Sequence, residues 1–154
     1  MQRSQDLGVA FTFASKVAAT QREALEQLLF FNGCQHRVAR QIENAIDRYG
    51  TPEIVNDAEC LRVRISGQNE VQSLFLVEPQ TGRPVGVAVY LRPDLEHVTV
   101  LHLGIAEEFC AGGARGGLGL LLRLMREVRR SSRRIKGVRH VRTLYATERA
   151  RAGA

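Results

Sequence analysis

The sequence predicts a mixed α/β domain, with flanking helices on a mostly antiparallel sheet. Three observations predict it. Two helical periodicities come early, one through Ala24, Leu25, Leu28 and Leu29 and one through Val38, Ile42, Ala45 and Ile46. Strand-like segments then follow with turn residues between them. Late in the chain come a strand, a glycine-rich turn, an amphipathic helix and a last strand, the order of a crossover between parallel neighbours.

Val9–Phe13 mixes apolar and small residues and reads as the first strand. Thr20-Gln21-Arg22-Glu23 has capping-box spacing, with a hydroxyl for orphan N–H groups and a glutamate reaching back, so a helix is expected from Thr20. Asn32-Gly33 stops it. A second helix is expected from Gln35 to Tyr49, ended by Gly50-Thr51-Pro52. Leu61–Ile65 alternates as a strand, and Gly67-Gln68-Asn69 turns the chain into Val71–Val77. Pro79-Gln80-Thr81-Gly82 is a hairpin turn into Pro84–Leu91, and Arg92-Pro93-Asp94 turns again. These strands read as one antiparallel meander. Val98–Ile105 is the central strand. After Gly112–Gly119, a helix is expected with Leu118, Leu121, Leu122, Met125 and Val128 as its apolar stripe. Lys136-Gly137 breaks it, and Val138–Tyr145 is the last strand.

A length of 154 residues allows one domain, 1–154, with its own core. No apolar run is long enough to span a membrane, and Leu7–Ala14, flanked by Asp6 and Lys16, is a poor signal peptide. Cys34, Cys60 and Cys110 are an odd number without a CxxC pair, which reads as reduced thiols in a cytoplasmic protein and not as a zinc site. The charge is lopsided. Residues 1–114 hold 10 basic and 14 acidic side chains, whereas residues 115–154 hold 12 and 2. A block of this kind fits an anionic partner, either a phosphate-bearing small molecule or nucleic acid.

A glycine-rich turn opening a helix is suited to anions. Its unpaired N–H groups and the helix dipole favour negative charge, and glycine lets phosphate approach the backbone. The turn lacks the Lys-Ser or Lys-Thr of a P-loop. It also comes too late, and is followed by basic residues, for a dinucleotide fingerprint. Leu103-Gly104-Ile105-Ala106-Glu107-Glu108-Phe109 and then Gly117-Leu118-Gly119-Leu120-Leu121-Leu122 resemble the acyl-CoA-binding segment of the GNAT superfamily of N-acyltransferases. Two features depart from that pattern. Ala114 holds the family's basic or amide position, with Arg115 one place later, and the turn is longer than usual.

The order of elements extends the resemblance over residues 9–145. It implies a GNAT-like sheet in which two parallel strands splay apart around the acyl-CoA. It also implies acetyl-CoA, or another acyl-CoA, as co-substrate and an amine as acceptor. Backbone groups of Leu103, Gly104 and Ile105 would hold the thioester carbonyl and pantetheine. Gly113, Ala114, Arg115, Gly116, Gly117, Leu118 and Gly119 would hold the pyrophosphate. Candidate acids and bases are His102, Glu108 and Tyr145, with Glu96, His97 and Glu107 nearby; Thr99 stands where some members carry a glutamate base. The family pattern continues with a further helix and two strands, and Ala146–Ala154 leaves room only for the start of that helix. A second subunit completing the sheet, and so a homodimer, is the expectation. The alternatives are an acyl-CoA-binding regulatory module with little catalysis, or a protein contacting nucleic-acid phosphates through Arg123–Arg142.

Overall fold

The computed structural model describes residues 11–31, 39–110 and 119–143. The described chain is mixed α/β, with a mostly antiparallel main sheet and three helices. Strands β1 (Thr12–Ala14), β5 (Val71–Val77), β6 (Pro84–Leu91), β7 (His97–Ile105) and β8 (His140–Thr143) form this sheet in the order β1-β5-β6-β7-β8. Among the described residues only the β7–β8 pair is parallel, joining His97–Val100 to His140–Thr143. Strands β2 (Val17–Ala18), β4 (Cys60–Ile65) and β3 (Pro52–Asp57) form a second, three-stranded sheet.

The single meander expected from the sequence is therefore two sheets. Leu61–Ile65 pairs with Pro52–Asp57 and not with the strand that follows it. The turn after Ile65 carries the chain across to the other sheet, where Val71–Val77 takes its neighbours from β6 and β1. Both sheets put apolar side chains into one core with Leu25, Leu28 and Leu29.

Helices α1 (Arg22–Phe30) and α2 (Ala39–Tyr49) lie on that side of the main sheet, and α3 (Leu120–Arg133) lies on the other. Thr20 does not cap α1. It sits in a 3₁₀ turn, Ala19–Gln21, whose first amide donates to the Glu59 carbonyl at 3.0 Å. That bond ties the helix entry to the β3–β4 turn, and α1 begins at Arg22 with no side-chain cap. The expected start of α2 and the continuation of β8 to Tyr145 lie outside the described residues.

The buried stripe of α3 is Leu120, Leu124, Met125, Val128 and Ser132, while Leu121 and Leu122 are exposed. The expected stripe holds at Met125 and Val128 and fails at Leu121 and Leu122, because leucines crowd the first turns and leave their period degenerate. Arg126, Arg129, Arg130 and Arg133, further along, fix which side must face water. Gly86 lets this helix sit close to the sheet. A Cβ there would meet Ile105 Cδ1 at 3.0 Å, Leu76 Cβ at 3.1 Å and Leu124 Cδ2 at 3.5 Å. No helix among the described residues is long and apolar enough to cross a membrane.

Candidate functional site

β7 is buried along most of its length, and its course is set by one irregularity. Val89 pairs with His102 and Tyr90 with Val100, so Leu101 is an extra residue on β7. A β-bulge of this kind inverts the in-out alternation beyond it. Before the bulge, Val98 and Val100 pack toward α3; after it, Leu103 and Ile105 do. His102 and Gly104 pair with Val89 and Val87, which belong to the core under α1 and the second sheet.

At its C-terminal end, β7 delivers the chain into a 3₁₀ turn, Glu107–Phe109. The Ala106 amide donates to the Val85 carbonyl at 2.9 Å, which fixes the turn beside the start of β6. A cavity of about 290 Å³ opens there between α1, β6 and the turn. Leu28 forms part of its apolar wall; Gln27, Phe31, Arg83, Glu107 and Glu108 stand around it. Arg83 pairs with Glu108, and its Nε donates to Glu78 Oε1 at 2.7 Å. Two glutamates thus share one guanidinium, which leaves the cavity's rim acidic. On the α3 side of the turn, Phe109 meets Phe11 edge-on at 5.6 Å, and the Arg123 guanidinium lies 5.8 Å from the Phe11 ring centre. Phe11 thereby links the turn at the end of β7 to the first turn of α3.

Of the residues expected at the site, Glu108 stands at the cavity, and Gly104 and Ile105 form the strand end that leads into it. Leu103 is half-buried against the α3 side. Gly119 precedes α3 in the left-handed conformation, at φ 61°, and its carbonyl accepts from the Arg123 amide. Gly113, Ala114, Arg115, Gly116, Gly117, Leu118 and Tyr145 lie outside the described residues. His102 is 4% exposed, away from the residues around the cavity. Burial lowers its pKa to about 4, so it is neutral at pH 7.

His97 lies at the other end of β7, a strand length of about 26 Å from Ile105. It is bound to the Asp94 carboxylate at 2.8 Å and stacked on the His140 ring at 5.1 Å. Thr99 is buried and accepts from Arg142 Nε at 3.5 Å. Arg83 and Glu78 were not anticipated, although opposite charges flanking a hairpin turn are a readable cross-strand signal. Gln27 and Phe31 carry no such signal.

Cys110, immediately after the turn, is disulfide-bonded. This corrects the expectation of reduced thiols: bridging depends on proximity in space, which spacing along the chain does not report. Cys60 is free, and Cys34 lies outside the described residues. The bridge also removes the argument from reduced thiols for a cytoplasmic location. Among the described residues no group of His, Cys, Asp and Glu is placed to hold a metal ion. Comparison with protein-family models, curated proteins and solved structures gives no match.

Proposed function

We propose that this protein is an acyl-CoA-dependent N-acyltransferase of the GNAT type, moving an acetyl or other acyl group to an amine. The observation that carries the reading is the join at the end of β7. There the buried central strand runs into the Glu107–Phe109 turn beside a cavity with carboxylates at its rim, and in the sequence the glycine-rich stretch and α3 follow directly. In this reading the glycine-rich turn and Arg123 take the phosphates of the acyl-CoA, and the cavity under α1 takes the acceptor.

Acyl transfer forms a C–N bond and breaks a C–S bond, while the amine gives up a proton and the leaving thiolate gains one. Backbone amides near Gly104 and Ile105 would steady the oxyanion. Glu107 and Glu108 are the carboxylates placed to attract an ammonium group and accept its proton, directly or through water. Arg83 orients Glu108 for this. His102, neutral and buried, is a weak proton acceptor for the same step.

The test is calorimetric titration with acetyl-CoA, paired with detection of free CoA thiol in the presence of primary amines. Saturable binding and amine-dependent thiol release are expected. Gly117→Asp should abolish binding, because its carboxylate repels phosphate. An absence of acetyl-CoA binding by the folded protein, or unchanged binding in Gly117→Asp, overturns the proposal.

A further inference from the structure

Acyl transfer makes no use of most of the charge on α3. Residues 119–143 hold eight arginines and Lys136 against one acid, Glu127. The buried stripe of α3 turns one side of the helix to the sheet and leaves Arg126, Arg129, Arg130 and Arg133 exposed. Their i, i+3, i+4, i+7 spacing sets them in a row of about 10 Å along the helix. Arg134, Lys136 and Arg139, also exposed, continue the basic surface beyond it.

The described residues do not neutralise this row. Among the described residues its one ion pair is Arg130 with Glu127, at 3.9 Å. Carboxylates elsewhere are engaged elsewhere: Asp57 with Lys16, Glu53 with Arg64, Glu78 and Glu108 with Arg83. Nor does a phosphate group at the glycine-rich turn account for it. Arg133 is fourteen residues along from Gly119, about 20 Å of helix, which is beyond the reach of a group bound at the helix start.

We propose that the exposed arginine row of α3 docks on the phosphate backbone of double-helical nucleic acid. Guanidinium groups bind phosphate oxygens through paired N–H donors. Residues 119–143 include no Phe, Tyr or Trp, so the surface offers no platform for stacking unpaired bases and favours a duplex over a single strand. The apolar stripe of α3 is already buried in the core, and Leu121 and Leu122 of its first turn are too few to make the apolar face an interfacial membrane helix inserts.

Fluorescence anisotropy with labelled duplexes of DNA and RNA tests this over a range of salt. Binding should weaken with salt along a log–log slope of about 3 to 4, from four contacts at about 0.9 each. Replacing Arg126, Arg129, Arg130 and Arg133 together by Gln should reduce affinity at least about 100-fold at moderate salt. The four-lysine variant should retain most of it. Both variants should keep the native circular dichroism spectrum and unchanged acetyl-CoA titration, so failure here is distinct from failure of the acyltransferase reading. Vesicles rich in phosphatidylserine and a polyglutamate peptide serve as rival anions. The proposal is overturned if neither duplex binds at low salt, if the glutamine variant binds as well as the parent, or if the vesicles or peptide bind and the duplexes do not.

Discussion

Arg83 pairs with Glu108 at the rim of the cavity, while its Nε donates to Glu78 at 2.7 Å across the β5–β6 hairpin. One guanidinium therefore sets the position of a carboxylate 25 residues away in sequence. Replacing it by methionine keeps much of the side-chain volume and removes the bridge. Arg83 is partly exposed, so the stability cost should be no more than about 1 kcal/mol. The larger effect should fall on the acceptor. In Arg83→Met, KM for the amine should change several-fold while acetyl-CoA affinity holds. Steady-state kinetics against each substrate checks this; a change confined to acetyl-CoA would place Glu108 on the wrong side of the reaction.

His102 predicts a pH dependence of stability. Its pKa is about 4 in the folded protein, through burial, against 6.5 for the ordinary group. The folded state thus disfavours the proton that the unfolded state accepts. Stability is at full strength above pH 6.5, falls as the pH drops from 6.5 toward 4, and levels off below. The full loss from this group is about 3 kcal/mol. Urea unfolding across that range should show the fall in the parent and a much flatter curve in His102→Gln. Parallel curves would mean that other groups dominate the acid limb.

Much of the main sheet was legible because its residues leave few options. Val71–Val77, Pro84–Leu91 and Val98–Ile105 are apolar or alternating, with turn chemistry between them, and each forms a strand. β3 was not legible. Pro52 after Gly50-Thr51 reads as a helix stop, and Glu53, Asn56 and Asp57 are polar, so nothing local marks the segment as a strand. Its strand character comes from pairing with β4, a tertiary choice. The same limit applied to the site. Glu108, which stands at the cavity, was singled out because it closely follows a recognisable strand. The burial of His102 on the α1 side follows from the bulge at Leu101, and one extra residue in a ladder leaves no mark in the composition around it.

Gly86 predicts an overpacking cost. Its backbone is ordinary, so the constraint is space. A Cβ would press on Ile105 and Leu76, and both neighbours are buried. Gly86→Val should destabilise by about 1–3 kcal/mol, because α3 must lift or its partners must leave their rotamers. Ile105→Ala removes the nearest atom and should relieve part of that cost in the double variant. Chemical denaturation of the two single variants and the double variant measures the coupling. Strictly additive losses would mean that Ile105 is not the atom in the way.

The position of β8 predicts an assembly. β8 is the last strand of the order β1-β5-β6-β7-β8, and among the described residues its strand partner is β7. An edge strand presents backbone donors and acceptors to any chain that can reach them. Val141 is half-buried on the inner face, while His140 and Arg142 are exposed on the other face, beside His97 and Thr99 of β7. A two-fold dimer through this edge sets two β8 strands antiparallel, with the same patch serving both subunits. A dimer is the expected state at micromolar concentration. Arg142→Glu changes the charge at the edge and also removes the Arg142–Thr99 hydrogen bond to β7, so an unchanged circular dichroism spectrum is required alongside. Sedimentation should give about twice 17.2 kDa for the parent, and Arg142→Glu should shift the monomer–dimer equilibrium measurably. A parent that sediments as a monomer, with or without acetyl-CoA, would show that charge alone protects the edge.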